Sequence, residues 1–201
     1  MQAHTGTWRQ INTIESRRYT CGNCSADITS NVGYSCLKPS GAPTAFLYIC
    51  HSCNRPTLIS KISNDEQVPA PMLGETIDHL PKDIEDLYAE MRRSTAANAY
   101  TSVVLAGRKL LMHIAVEAGA NEGKKFVAYV DYLVDNHYTP PNSKVWVDKI
   151  RELGNDANHE IIIMGQTEAK DIMKFTEMIL KFKYEFPESV TADSEELPEK
   201  V

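Results

Sequence analysis

Four cysteines fall in two identically spaced pairs, Cys21-Gly22-Asn23-Cys24 and Cys50-His51-Ser52-Cys53, with 25 residues between them. A C-x-x-C turn aims two sulfurs at one point, so two such turns supply the four thiolates of a closed tetrahedral zinc site. The interval suits a hairpin and its loop. A region this small buries little core, and the ion would contribute folding energy directly. A redox pair is the rival reading, but there are two turns and no surrounding βαβ pattern. With Cys21, Cys24, Cys50 and Cys53 all used, no coordination position stays open, so the expected Zn2+ is structural. Cys36 is the odd cysteine and is expected half-buried in the hairpin. His51 lies between two ligands and is expected to point away from the ion, as the substitute should one cysteine not be used.

A second cluster, Arg151-Glu152-Leu153-Gly154-Asn155-Asp156-Ala157-Asn158-His159, is polar and dense. On a helix Arg151, Asn155 and His159 stand at i, i+4 and i+8, close to one stripe. Such a stripe brings together groups able to bind phosphate or move protons. Two plainer readings stay open. Asn and His often end helices on a solvated face, and Gly154, Asn155 and His159 could equally serve buried helix packing.

These residues need elements to position them. Residues 19–63 hold all five cysteines and read as short strands and turns, with Pro39-Ser40-Gly41-Ala42-Pro43 as a loop between the halves. Residues 1–18 read as a polar lead-in with Trp8 as apolar anchor, and 64–80 as a linker. From Pro81 the apolar period becomes helical. Helices are predicted over about 81–91, 95–118, 122–135, 143–159 and 167–184. Thr139-Pro140-Pro141-Asn142 breaks the chain between the third and fourth. Residues 187–201 are acidic, nearly free of apolar groups, and expected to be disordered. The predicted fold is α+β: a small four-cysteine zinc ribbon (1–63), a linker (64–80), then an all-α bundle of about five helices (81–186).

Charge narrows the function classes. The net charge is −6, with a formal +2 over residues 1–68 and −8 over the remainder. Neither part has the broad basic field with which a protein grips duplex nucleic acid, so duplex DNA is not an expected partner. The longest apolar runs are far too short to span a bilayer. Met1 to Thr5 lack a basic region followed by an apolar stretch, so no secretory signal is expected and the cytoplasm is the default location.

Residues 80–187 resemble the domain of unknown function 4145 family, a branch of the HEPN superfamily of helical domains. The resemblance is carried by Leu80-Pro81-Lys82-Asp83-Ile84, Val104-Leu105-Ala106-Gly107-Arg108-Lys109-Leu110-Leu111 and Tyr132-Leu133-Val134. It continues through Ile150 to His159 and Glu168-Ala169-Lys170-Asp171. The Gly-Asn-x-x-x-His core is its most specific part, and a zinc ribbon ahead of the domain is similar to common members. Many HEPN relatives are metal-independent endoribonucleases of toxin–antitoxin, phage-defence and stress systems, with one site formed across a homodimer. The resemblance therefore implies attack of a ribose 2′-OH on the adjacent phosphate. It assigns His159 as acid/base, Asn155 as phosphate-orienting, Arg151 as the electrostatic group and Arg108 as a helper. Two positions depart from the pattern: Gly154 stands where an Arg usually precedes the Asn, and Met112 where a Glu usually continues the Arg-x-x-Leu run. Two functional readings follow, a homodimeric endoribonuclease and a non-catalytic module binding a nucleotide, RNA or protein, with the acidic charge and the displaced Arg favouring the second.

Overall fold

The computed structural model describes residues 5–153 and 162–189, which divide into two compact units. The first comprises Met1–Met72 with Arg93–Asn98, and the second Leu73–Arg92 with Ala99–Val201.

The first unit is a five-stranded antiparallel sheet in sequential order: β1 (Asn12–Thr20), β2 (Asp27–Leu37), β3 (Pro43–Ile49), β4 (Pro56–Ser60) and β5 (Gln67–Val68). Alternating directions in a meander put the β1–β2 and β3–β4 turns at one end and the β2–β3 turn at the other. The two C-x-x-C segments are the two turns at the shared end. The 25 residues between Cys24 and Cys50 are thus one strand away from the cysteine end and one strand back. One face is apolar: Tyr19, Ile28, Phe46, Tyr48 and Ile59 are buried with Cys21, Cys50 and Cys53. Tyr48 is its centre, with ring centroids of Tyr19 and Phe46 at 5.6 and 5.9 Å. Its hydroxyl donates to the Glu15 carbonyl at 2.9 Å.

The structure corrects the expected polar lead-in, because β1 already begins at Asn12 and its alternation is hidden by exposed Glu15 and Arg18 and by half-buried Arg17. Trp8 does anchor the segment before it: its indole N–H donates to the Asn54 carbonyl at 3.0 Å. Cys36 is exposed, not half-buried, since its register partner is Ala45 on the side of the sheet away from the aromatic core.

The helical unit contains α1 (Lys82–Ala96), α2 (Tyr100–Glu117), α3 (Phe126–Asp135), α4 (Lys144–Glu152) and α5 (Gln166–Leu180); the last four residues of α1 fall in the first unit. The order of strands then helices is the predicted α+β class. α2 lies between its neighbours and buries Val103, Val104, Leu110, Leu111, Ile114 and Ala115. Against it pack Ile84 and Met91 from α1, Val130 and Leu133 from α3, and Ile172, Phe175 and Ile179 from α5. A Cβ built on Gly107 would stand 2.8 Å from Met91 Cε and 2.9 Å from Ile172 Cδ1, so α1, α2 and α5 converge there because the side chain is missing.

Four helix boundaries differ from expectation for local reasons, the first being that α2 begins at Tyr100 and not near 95, because Thr95 and Ala96 belong to α1. α1 runs on to Ala96 because Asn98, with φ +57°, provides the left-handed stop that Met91 cannot. α3 starts at Phe126 because residues 120–125 turn through Gly123, and the Lys124 N–H donates to the Tyr129 hydroxyl at 3.1 Å. α5 passes into a π-helical turn at Lys181–Glu185, and residues 186–189 remain helical, so the last helix extends into the part expected to be tail. Its start is capped: the Gly165 N–H donates to the Glu168 carboxylate at 2.9 Å. Among the described residues no helix is long and apolar enough to cross a membrane.

Candidate metal centre and the helical-domain motif

Each cysteine turn is built from the same hydrogen bonds. The Cys21 N–H donates to the Ala26 carbonyl at 2.9 Å, and the Ser25 N–H donates back to the Cys21 carbonyl at 2.8 Å. In the second turn, Cys50 N–H to Arg55 carbonyl is 3.0 Å and Asn54 N–H to Cys50 carbonyl is 2.8 Å. The residue after the second cysteine is left-handed in both, Ser25 at φ +61° and Asn54 at +56°. That twist reverses the chain sharply enough to aim both sulfurs of a turn the same way.

The four Sγ atoms of Cys21, Cys24, Cys50 and Cys53 lie within 4.8 Å of one another. Across the turns Cys21 approaches Cys53 at 3.8 Å and Cys24 approaches Cys50 at 3.7 Å. Four sulfurs at a zinc–thiolate bond length of about 2.3 Å sit about 3.8 Å apart in a tetrahedron. The donor set therefore fits one tetrahedral ion. Such an ion supplies a cross-link between the two hairpins; all four positions belong to protein sulfur, so none is left for a substrate. His51 is exposed at the turn and is not part of the cluster.

The surroundings act on the thiols unequally. Burial raises Cys24 and Cys53. At Cys21 burial opposes ionisation too, but the N–H groups of Asn23 and Cys24 pointing at the sulfur outweigh it and lower the thiol. Gly22 carries a second constraint. A Cβ there would stand 2.3 Å from the Ala70 carbonyl oxygen and 2.4 Å from that of Pro69, so the first turn lies directly on the chain after β5. Gln67 fastens that chain, donating to the carbonyls of Thr20 at 2.8 Å and Pro69 at 3.0 Å.

In the helical unit, Arg151 is at the end of α4 and makes a three-point clamp. Its Nε donates to Asp131 at 2.8 Å, its Nη2 pairs with the same oxygen at 2.6 Å, and its Nη1 reaches Asp148 at 2.7 Å. The Asp131 hydrogen bond leads the effects that raise the guanidinium above its ordinary value. Asp131 is not legible as a partner, because it comes from a different helix, whereas Asp148, three residues before Arg151 on α4, shows the local i,i+3 spacing that could have found it. Arg151 also borders a cleft of about 810 Å³ together with Val134, His137, Asn142, Ser143 and Val147. Arg108 goes elsewhere. Its guanidinium lies 5.2 Å from the Phe126 ring centroid, and it lines a separate cleft of about 370 Å³ with Leu105, Lys109 and Met112. Five residues separate Phe126 from Asp131, about 140° around α3, and the two clefts share no described residue. Asn155 and His159, with Gly154, lie outside the described residues, as does the predicted end of the fourth helix.

Among the described residues, a five-stranded ribbon with a four-sulfur centre and a unit of five α-helices thus define an α+β protein with a cysteine cluster that could hold a metal ion. The family described as "Domain of unknown function (DUF4145)" matches residues 89–200, more than half of the chain, and the chain belongs to that family. Comparison with curated proteins and with solved structures gives no match.

Proposed function

We propose that this protein is a non-catalytic binding module, in which a ribbon held by a structural zinc ion carries a DUF4145 helical domain that binds a protein, nucleotide or RNA. The observation that carries the reading is the Arg151 clamp. An arginine that stabilises a phosphorane-like transition state must present uncompensated charge to it. Arg151 meets two carboxylates within 2.8 Å, a local sum of −1 from one cation and two anions. Lys144, 3.9 Å from Asp148, brings that sum only to zero. The cleft beside it is lined by both Arg151 and Lys144, but each of these cations is paired with an aspartate, so neither offers uncompensated charge to a phosphate. The setting in a defence or stress system is proposed on the resemblance to HEPN-type domains.

A second reading, a homodimeric HEPN-type endoribonuclease using His159, Asn155 and Arg151, is favoured by one observation: Arg151 borders an open cleft that also holds His137. Incubation of labelled RNA with the wild-type chain, His159→Ala and Arg151→Ala separates the two. The binding reading expects intact RNA with all three proteins. Cleavage by the wild type that disappears in His159→Ala overturns it. Elemental analysis of the purified chain is expected to find one zinc ion per chain, lost in Cys21→Ser.

A further inference from the structure

Two hydroxyl groups are buried in the ribbon beside the cysteine cluster and have no hydrogen-bond partner among the described residues: those of Tyr19 and Thr57. Tyr19 is 6% exposed and Thr57 0%. Both stand at the cysteine end of the sheet. Tyr19 lies two residues before Cys21 and is buried in one cluster with Cys21, Cys50 and Cys53. Thr57 lies four residues after Cys53, and its register partner is Tyr48, whose ring neighbours that of Tyr19 at 5.6 Å. The Tyr48 hydroxyl, by contrast, is accounted for, because it donates to the Glu15 carbonyl at 2.9 Å. A hydroxyl sealed from water and left without a partner is destabilising, so two in one core call for an acceptor.

Each hydroxyl carries one proton. The two groups are neighbours, so one can donate to the other, which leaves one proton in need of an acceptor. The carboxylates of the ribbon, on Glu15, Asp27, Asp65 and Glu66, belong to exposed residues. The charged acceptors left in its buried core are the cysteine sulfurs. Four thiolates around one divalent ion carry a net negative charge, and burial makes that charge costly. Backbone N–H groups meet part of it: those of Asn23 and Cys24 at Cys21, of Ala26 at Cys24 and of Arg55 at Cys53. We propose that Tyr19 and Thr57 meet another part, as a hydroxyl pair whose free O–H donates to a thiolate of the metal centre. They are positioning residues, which act on the ligands and not on the ion. The added donor steadies the negative sulfur and fixes its direction, as outer-shell donors do at metal sites. The inference rests on the reading of the four cysteines as a zinc site.

The test loads the full chain with Co2+ in place of zinc, reads the sulfur-to-metal charge-transfer band, and obtains the zinc dissociation constant by competition. Tyr19→Phe and Thr57→Val are compared with the wild type, since each keeps the side-chain shape and removes the hydroxyl. The tetrahedral d–d bands of Co2+ report that the site assembles in each. Both variants are expected to move the charge-transfer band to longer wavelength, because a sulfur that loses a donor gives up its electron more readily, and to weaken zinc binding about tenfold. Tyr48→Phe removes a hydroxyl that serves a carbonyl, and its band is expected to stay in place. Normal metal loading with an unchanged band and dissociation constant in Tyr19→Phe and Thr57→Val overturns this inference alone. So does tighter zinc binding in either variant, the result expected of hydroxyls buried idle, or an equal band shift in Tyr48→Phe. A wild-type chain that takes up neither metal overturns the inference together with the zinc reading.

Discussion

Ser25 and Asn54 occupy the same place in their turns, directly after the second cysteine, and both take left-handed backbone. For a residue with a Cβ this conformation costs roughly 1–2 kcal/mol, which glycine would avoid at an entropic cost of about 0.5–1 kcal/mol. Ser25→Gly is therefore expected to raise the stability of the metal-loaded ribbon by about 0.5–1 kcal/mol. Ser25→Val is expected to lower it by more than about 1 kcal/mol. Denaturant midpoints of the two variants check this. Arg151 makes the opposite kind of case, a side chain whose three contacts are all to protein. Arg151→Ala is expected to lower the stability of the helical unit by about 1 kcal/mol, a value suited to a partly exposed clamp. A thermal melt that does not move would place the value of Arg151 in chemistry and not in holding α4 to α3.

Between elements, the close approach at Gly107 and the ties around Glu117 decide how the helices meet. Gly107→Val must displace Met91 and Ile172 at once, and is expected to destabilise the helical unit by about 2–3 kcal/mol, read from chemical denaturation. At the end of α2, burial opposes ionisation of Glu117, but the Tyr184 hydroxyl and the Lys183 ammonium at 3.0 Å outweigh it, and its carboxyl is held below the ordinary range. Folding thus favours the ionised form. Its contribution is present above the ordinary carboxylate value of about 4.3 and is lost as pH falls through the lowered value. The stability of the helical unit is expected to drop in acid, and Glu117→Gln to flatten that slope. The cysteine spacing and the 3.6-residue stripes made the ribbon, the helices and their order legible. The ties just described were not, because Glu117 ends α2 while Lys183 and Tyr184 lie in the π-helical turn, and no local pattern encodes the pairing of the two elements. The strand of Asn12–Thr20 hid behind its charged outer positions. Asn98 stops α1 through a backbone angle that its residue type only permits.

At the scale of the whole chain, chemistry and architecture are separated. The four clustered sulfurs, which could hold a metal ion, occupy the turn end of the ribbon, while the cleft beside Arg151 is in the other unit, that cation offset by two aspartates. A closed zinc site at the four cysteines has one task, to hold two hairpins together. Hydrogen exchange before and after chelation tests that role most directly. Removing the ion is expected to strip protection from the amides of β1 to β4, with recovery when zinc is restored. Ribbon amides that stay protected after the metal is gone would contradict it.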